Sequence, residues 1–126
     1  MKYIYTTMIF KLNENESIEL KHSFRSAIYF EQINGKNIDL SNISSNEVLS
    51  LFYCVVIASL QLENRPIISM MELMNAIDMY NDSEKCITEF AEWYIDIMRK
   101  QYDIMNSDNI GDKKETENGK KKKKKD

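Results

Sequence analysis

One proline and three glycines are all that punctuate 126 residues. These residues mark tight turns and short strands, so their scarcity excludes a many-stranded sandwich or barrel and leaves a few long elements with short connections. Cysteine is nearly as sparse: Cys54 and Cys86 both fall inside helical patterns, without the spacing of a zinc or redox site, which points to a reduced cytoplasmic setting. The start of the chain lacks the charged, apolar and small-residue succession of a secretion signal. His22 is the single histidine and lies where a strand pattern gives way to a helical one, so it reads as a boundary residue rather than a base. There is no Gly-rich phosphate loop, no Gly-x-Ser-x-Gly turn and no convergent metal-ligand spacing. No catalytic, metal or cofactor residue is assigned on these grounds, and the chain reads as a non-enzyme.

Charge is plentiful but unevenly placed. The net charge is −3, yet Met1 to Asn106 holds 9 Lys and Arg against 15 Asp and Glu, a balance of −6. Ser107 to Asp126 holds 8 against 5, a balance of +3. Apolar positions nearly vanish after Asn106, so residues 1–106 are expected to form one compact α+β domain and residues 107–126 a disordered Lys-rich tail. The tail carries six consecutive lysines, Lys120, Lys121, Lys122, Lys123, Lys124 and Lys125. They read as a solvated basic tail or as a phosphate-binding arm. Nucleic acid could be engaged only there, because an acidic body repels phosphates.

The chain is organised around Ile43 to Leu62. Ser44 and Glu47 have capping-box spacing, and Ile43 and Val48 stand where a hydrophobic staple would close over the first turn. Val48, Leu49, Leu51, Phe52, Val55, Val56 and Leu60 then leave few polar positions, so this helix is apolar round most of its circumference and is expected at the centre of the fold. The alternative is a membrane span. Ser50 and Ser59 interrupt the run, however, and it falls short of the ~20 residues a bilayer requires.

Lys2 to Leu12 is rich in β-branched and aromatic residues, Asn13 to Glu16 is turn-prone, and Ser17 to Lys21 alternates Ile18 and Leu20 with polar residues. This predicts an N-terminal hairpin, whose free strand edge offers a route to self-association. Ser23 caps a helix with Phe24, Ala27, Ile28 and Glu31 on its face, widened by Phe30 and Ile33, and Gly35 ends it. Pro66 closes the central helix. Ser69 and Glu72 repeat the capping box, flanked by Ile68 and Leu73, and open a helix to Met79. Asn81, Asp82 and Ser83 offer the cap of a last helix, Glu84 to Met105, with Ile87, Phe90, Ala91, Tyr94, Ile97, Met98, Gln101 and Ile104 along its apolar stripe. The fold class is therefore α+β and mostly helical: a hairpin, then three or four helices packed around the central apolar one.

Eight methionines are many for this length, and Met70, Met71, Met74 and Met79 fall on one short helix. Thioethers fill irregular cores and also make adaptable binding surfaces. Met70, Met71 and Met74 are thus candidate partner-binding residues alongside their reading as core filler. Tyr3 and Tyr5 on the first strand and Trp93, beside the stripe of the last helix, complete the candidate set. Glu89, Glu92 and Asp96 lie on the water-facing side of that helix, where nothing raises a carboxylate pKa.

Phe24 to Glu31 reads Phe-Arg-Ser-Ala-Ile-Tyr-Phe-Glu and is followed by Asn34-Gly35-Lys36. A hairpin, this short helix, an apolar helix and further helices, in that order, resemble the small tail assembly chaperones of long-tailed bacteriophages over Met8 to Met105. The resemblance implies a protein of the host cell cytoplasm, without chemistry or cofactor of its own. It would bind the aggregation-prone tape-measure protein and help tail-tube protein assemble around it. Members of that family are often made in two lengths by ribosomal frameshifting, and six lysine codons can form an adenine run on which a ribosome slips. The alternative function is a nucleic-acid-binding accessory protein acting through the lysine tail. No membrane partner is expected.

Overall fold

The structure is a computed structural model that describes the backbone of residues 7–113 and the side chains of residues 7–101. Its elements are β1 (Ile9–Lys11), β2 (Ser17–Glu19), α1 (Phe24–Asn34), α2 (Ser45–Leu62), α3 (Met70–Tyr80) and α4 (Ser83–Lys113). The described residues thus form a mostly helical α+β chain with one antiparallel hairpin ahead of four helices. Contacts group Tyr5–Ile95 as one compact unit, which holds the hairpin, α1 to α3 and the start of α4; Asp96 onward belongs to a second unit.

α2 forms where the apolar run predicts it. Ser44 Oγ accepts from the Glu47 N–H at 3.2 Å and the Glu47 carboxylate accepts from the Ser44 N–H at 2.9 Å, closing the capping box. Lys36, whose ammonium lies 2.6 Å from that carboxylate, hydrogen-bonds it and, with Ser44, holds its pKa below the usual carboxylate value. The staple residues Ile43 and Val48 border one small apolar hollow with Leu51 and Phe90. The helix ends earlier than Pro66 requires. Asn64 adopts a left-handed φ of 58°, its N–H donates to Gln61 C=O at 3.0 Å, and the Arg65 N–H donates to Leu60 C=O at 3.0 Å. These are the paired bonds of a Schellman stop, with asparagine in the place glycine usually takes.

Val55 and Val56 are neighbours about 100° apart round α2, and both are fully buried. Burial on more than one side is what a central helix requires, and each such side chain stabilises the fold by about 1.5–3 kcal/mol. By length and composition alone α2 would suffice to cross a membrane, but 56% of that stretch is buried inside the protein. The serines that interrupt its apolar run are fastenings. Ser50 Oγ accepts from Asn34 Nδ2 of α1 at 2.9 Å, and fully buried Ser59 accepts from the Lys21 N–H at 2.9 Å, just beyond β2.

An aromatic ladder joins three elements through α2. Phe52 meets Phe10 of β1 edge-on with ring centres 5.2 Å apart, and stacks on Phe90 of α4 at 4.4 Å with planes only 8° apart. Phe90 in turn neighbours Trp93 and Tyr94 at 6.0 and 5.9 Å. Among the described residues the strands are shorter than the expected hairpin, whose residues Lys2 to Thr6 lie outside the description; in the pairing Phe10 opposes Ile18, and both are buried. Asn13 Oδ1 accepts from the N–H groups of Asn15 and Glu16 and sets the turn.

Two helices bury faces rotated from the expected ones, sharing with them Phe30 in α1 and Phe90, Tyr94 and Ile97 in α4. In α1 the buried residues are Ser26 and Phe30, while Phe24 is 81% exposed and Ile33 55% exposed. Polar contacts orient α1 against α2: Tyr29 Oη donates to Gln61 Oε1 at 2.8 Å, and Ser26 Oγ satisfies itself on Ser23 C=O at 2.7 Å. In α4 the buried stripe is Cys86, Phe90, Trp93, Tyr94 and Ile97, whereas Ile87, Ala91 and Met98 are half-buried. Asp82 caps this helix through its carboxylate and carbonyl, which accept from Lys85 and Cys86 N–H groups. α4 also runs on to Lys113 instead of ending at Met105, so residues 107–113 of the expected tail are helical. The cause is that loss of apolar positions removes a reason for burial but not for helicity, and no proline stops the run. The remainder of the tail, 114–126, lies outside the described residues.

Phe52→Ala removes the middle of the ladder and is expected to cost about 3–5 kcal/mol, read as a lowered urea midpoint. Val55→Asp places an unpaired carboxylate in the interior and is expected to leave the domain unfolded at neutral pH, checked by circular dichroism. A Val55→Asp variant that melts with the parent would place Val55 at the surface.

Candidate functional site

α3 presents methionine outward. Its core face is Leu73, Ala76 and Ile77, while Met71 and Met79 are each 68% exposed, Met74 is 41% exposed, and Met70 is half-buried. Helical spacing explains the split: residues 73, 76, 77 and 80 share one side, and 71, 74, 75, 78 and 79 share the other. The helix starts on the second capping box, Ser69 Oγ accepting from Glu72 N–H at 3.1 Å and Glu72 Oε1 accepting from Ser69 N–H at 2.8 Å.

Beside this helix lies an open cleft of about 530 Å³. One wall is the hairpin turn, with Leu12, Asn13 and Glu16; a second is the loop Arg65 to Ile68; the third is the Glu72, Met79 and Tyr80 side of α3. Each wall is anchored. Arg65 Nη1 donates to Ser17 C=O of β2 at 3.0 Å and pairs with Glu63 at 3.0 Å. Tyr53 Oη of α2 donates to Ile68 C=O at 2.8 Å. Asn81, closing α3, donates through Nδ2 to Lys11 C=O at 3.0 Å and to Ala76 C=O at 2.9 Å, and accepts from the Lys11 N–H at 3.3 Å. Asn13, Glu16, Arg65 and Glu72 of the walls are engaged in turns, a cap and an ion pair, and the cleft presents polar and apolar surface side by side. Ile67, 51% exposed, and Met79, 68% exposed, are open apolar residues of its lining.

The same anchors narrow the expected free strand edge, closing it at Lys11 and at the Ser17 carbonyl but not at Ile9. Leu20 N–H donates to Met8 C=O and Leu12 N–H to Glu16 C=O, so Phe10 between them turns its backbone to β2 while Ile9 and Lys11 turn theirs outward. Lys11's outward donor and acceptor are both occupied by the Asn81 carboxamide, and Ser17's carbonyl on the opposite edge by Arg65.

Of the candidate partner-binding residues, the structure brings Met70, Met71 and Met74 together on α3 and sets Met71 and Met74 outward. It does not leave Trp93 at an exposed edge. Trp93 is buried against Phe90 and Tyr94, because it falls in the stripe with Cys86 and Phe90 rather than beside it. Tyr3, Tyr5 and Lys120 to Lys125 lie outside the described residues. Ile67, Arg65 and the cleft itself are not legible from periodicity, since they sit on a loop; the one signal is Ile67-Ile68 directly after Pro66, an apolar pair with no helix to belong to.

The reactive side chains are placed as structural groups. Burial pushes the thiols of Cys54 and Cys86 up to about 11, so both are protonated at neutral pH. Burial likewise pushes Tyr94 up to about 12, and its hydroxyl is buried with no hydrogen-bond partner among the described residues. His22 is half-buried with its ring 5.5 Å from that of Tyr94, and burial lowers its pKa below 6.5. Among the described residues no three His, Cys, Asp or Glu side chains converge as a metal site.

Comparison with protein-family models, with curated proteins and with solved structures finds no match.

Tyr94→Phe is expected to hold or raise stability, by about 1 kcal/mol at most, because it removes a desolvated hydroxyl without breaking a bond; denaturant titration checks it. The lowered His22 pKa means the unfolded chain takes up that proton first as pH falls. Its contribution is present above the unfolded value near 6.5 and declines below it. The urea midpoint should fall from about pH 7.5 to about pH 5.5, and fall less in His22→Gln.

Proposed function

We propose that the protein is a non-enzymatic assembly chaperone of a long-tailed bacteriophage, acting in the host cytoplasm. It captures the tape-measure protein before tail-tube subunits close around it. The observation that carries this reading is the outward methionine face of α3 beside a preformed cleft of mixed polar and apolar lining. An exposed apolar surface on a small acidic chain is a place for another protein, and thioethers conform to differing apolar sequences. The hairpin and helices follow the order on which the resemblance was drawn from the sequence. Two thiols held protonated and a half-buried histidine are also in keeping with a binding role.

Co-expression tests the proposal. The full chain, produced with a long tape-measure reading frame encoded beside its own gene, is expected to keep that protein soluble and to co-purify with it. Met71→Asp and Met79→Asp together should abolish co-purification while leaving the circular dichroism spectrum unchanged. A tape-measure protein that stays insoluble with the full chain present would overturn the reading. Salt-sensitive retention of nucleic acid by the chain in place of protein would favour action through Lys120 to Lys125 instead.

A further inference from the structure

The cleft and the methionine face beside it carry a second, narrower conclusion about what they accept. Its apolar surface is formed by Leu12, Pro66, Ile67, Ile68, Met79 and Tyr80. Two carboxylates, Glu16 and Glu72, line it as well, and neither has an ion pair among the described residues. Asp78 is exposed on the outer side of α3 between Met74 and Met79. Arg65 is the cation in the lining, and its charge is already matched by Glu63 at 3.0 Å. The field over the apolar surface is therefore negative.

Beside the cleft, the backbone arrangement closes one common mode of docking. A partner adding as a strand needs open donors and acceptors on a sheet edge. At Lys11 both are held by Asn81, and at Ser17 the carbonyl is held by Arg65. A partner seated here must bring its own backbone hydrogen bonds already made, which is what a helix does. We propose that the cleft and the Met71, Met74 and Met79 face together seat an amphipathic helix of a partner protein, apolar side inward and basic side against the acidic rim. This rests on the reading above that the body captures protein, and it adds the shape and charge of the segment captured.

The test uses the full chain labelled at its methionine methyl groups and a synthetic amphipathic helix of Leu and Lys, about five turns long. A counterpart with Glu in place of Lys serves as comparison. The Leu/Lys peptide is expected to shift the methyl resonances of Met71, Met74 and Met79 and to leave that of Met98 on α4 in place. The Leu/Glu peptide is expected to shift none of them. Met79→Asp separates seating from bulk charge attraction: it adds a negative charge yet removes apolar contact, and it is expected to weaken Leu/Lys binding by about tenfold or more. Met79 is exposed, so the variant keeps its fold. Tighter binding by Met79→Asp, equal shifts with the Leu/Glu peptide, or binding that leaves the three methyl groups unmoved would each overturn the proposal. Shifts of the same groups with protein concentration alone would make a second copy the occupant and overturn it too. None of these results bears on whether the tape-measure protein co-purifies, so the two readings fail separately.

Discussion

The described fold depends on Phe52 having an aromatic partner on each side. With Phe10 edge-on and Phe90 stacked, one side chain of α2 ties the hairpin to the last helix. A two-stranded hairpin is marginal in water by itself, and three-residue strands are shorter still than the usual strand. Its persistence follows from the burial of Phe10 and Ile18 against α2 rather than from its own ladder. Phe90, held by the same stack, fixes the rotation of α4 about its axis, and that rotation carries Trp93 inward.

What local chemistry determines was legible in the sequence. Both capping boxes, the Ser23 cap and the Gly35 stop depend on neighbours within four residues, and each is made by the residues that the spacing names. The hairpin itself was likewise legible, from the turn-prone Asn13 to Glu16 between two strand patterns, whereas the pairing of Phe10 with Ile18 comes from the structure. Helix faces were legible only where the apolar stripe is broad and unopposed, as in α2. In α1 two phenylalanines compete, and Phe30 is buried because Tyr29 and Asn34 find Gln61 and Ser50 across the helix pair, a choice that no single-helix pattern contains.

The candidate surface divides along the same line. That methionine clusters on α3 is a sequence fact; that Leu73, Ala76 and Ile77 are sufficient to bury the helix, leaving the thioethers outside, is a property of the neighbours. The cleft is assembled by contacts spanning long stretches of chain, Arg65 to Ser17 and Asn81 to Lys11, so it has no signature in any short window. Trp93 shows the converse. Read as lying off the stripe, it is inside because the stripe is centred on Cys86 and Phe90, and cysteine carries little weight in an apolar pattern although it is often buried.

Asn81 stands where a third strand would stand, giving one acceptor and two donors to three backbone groups at once. Aspartate has the same reach but no amide hydrogens to give, and glutamine has the chemistry but one methylene too many. The junction is therefore closed to nearly every mutational neighbour, while at Met71, Met74 and Met79 other aliphatic side chains can replace one another with little loss of contact. Over generations, change would collect on the face proposed to meet a partner and stay away from the asparagine that holds the face in position, so that the surface could vary without rebuilding its frame.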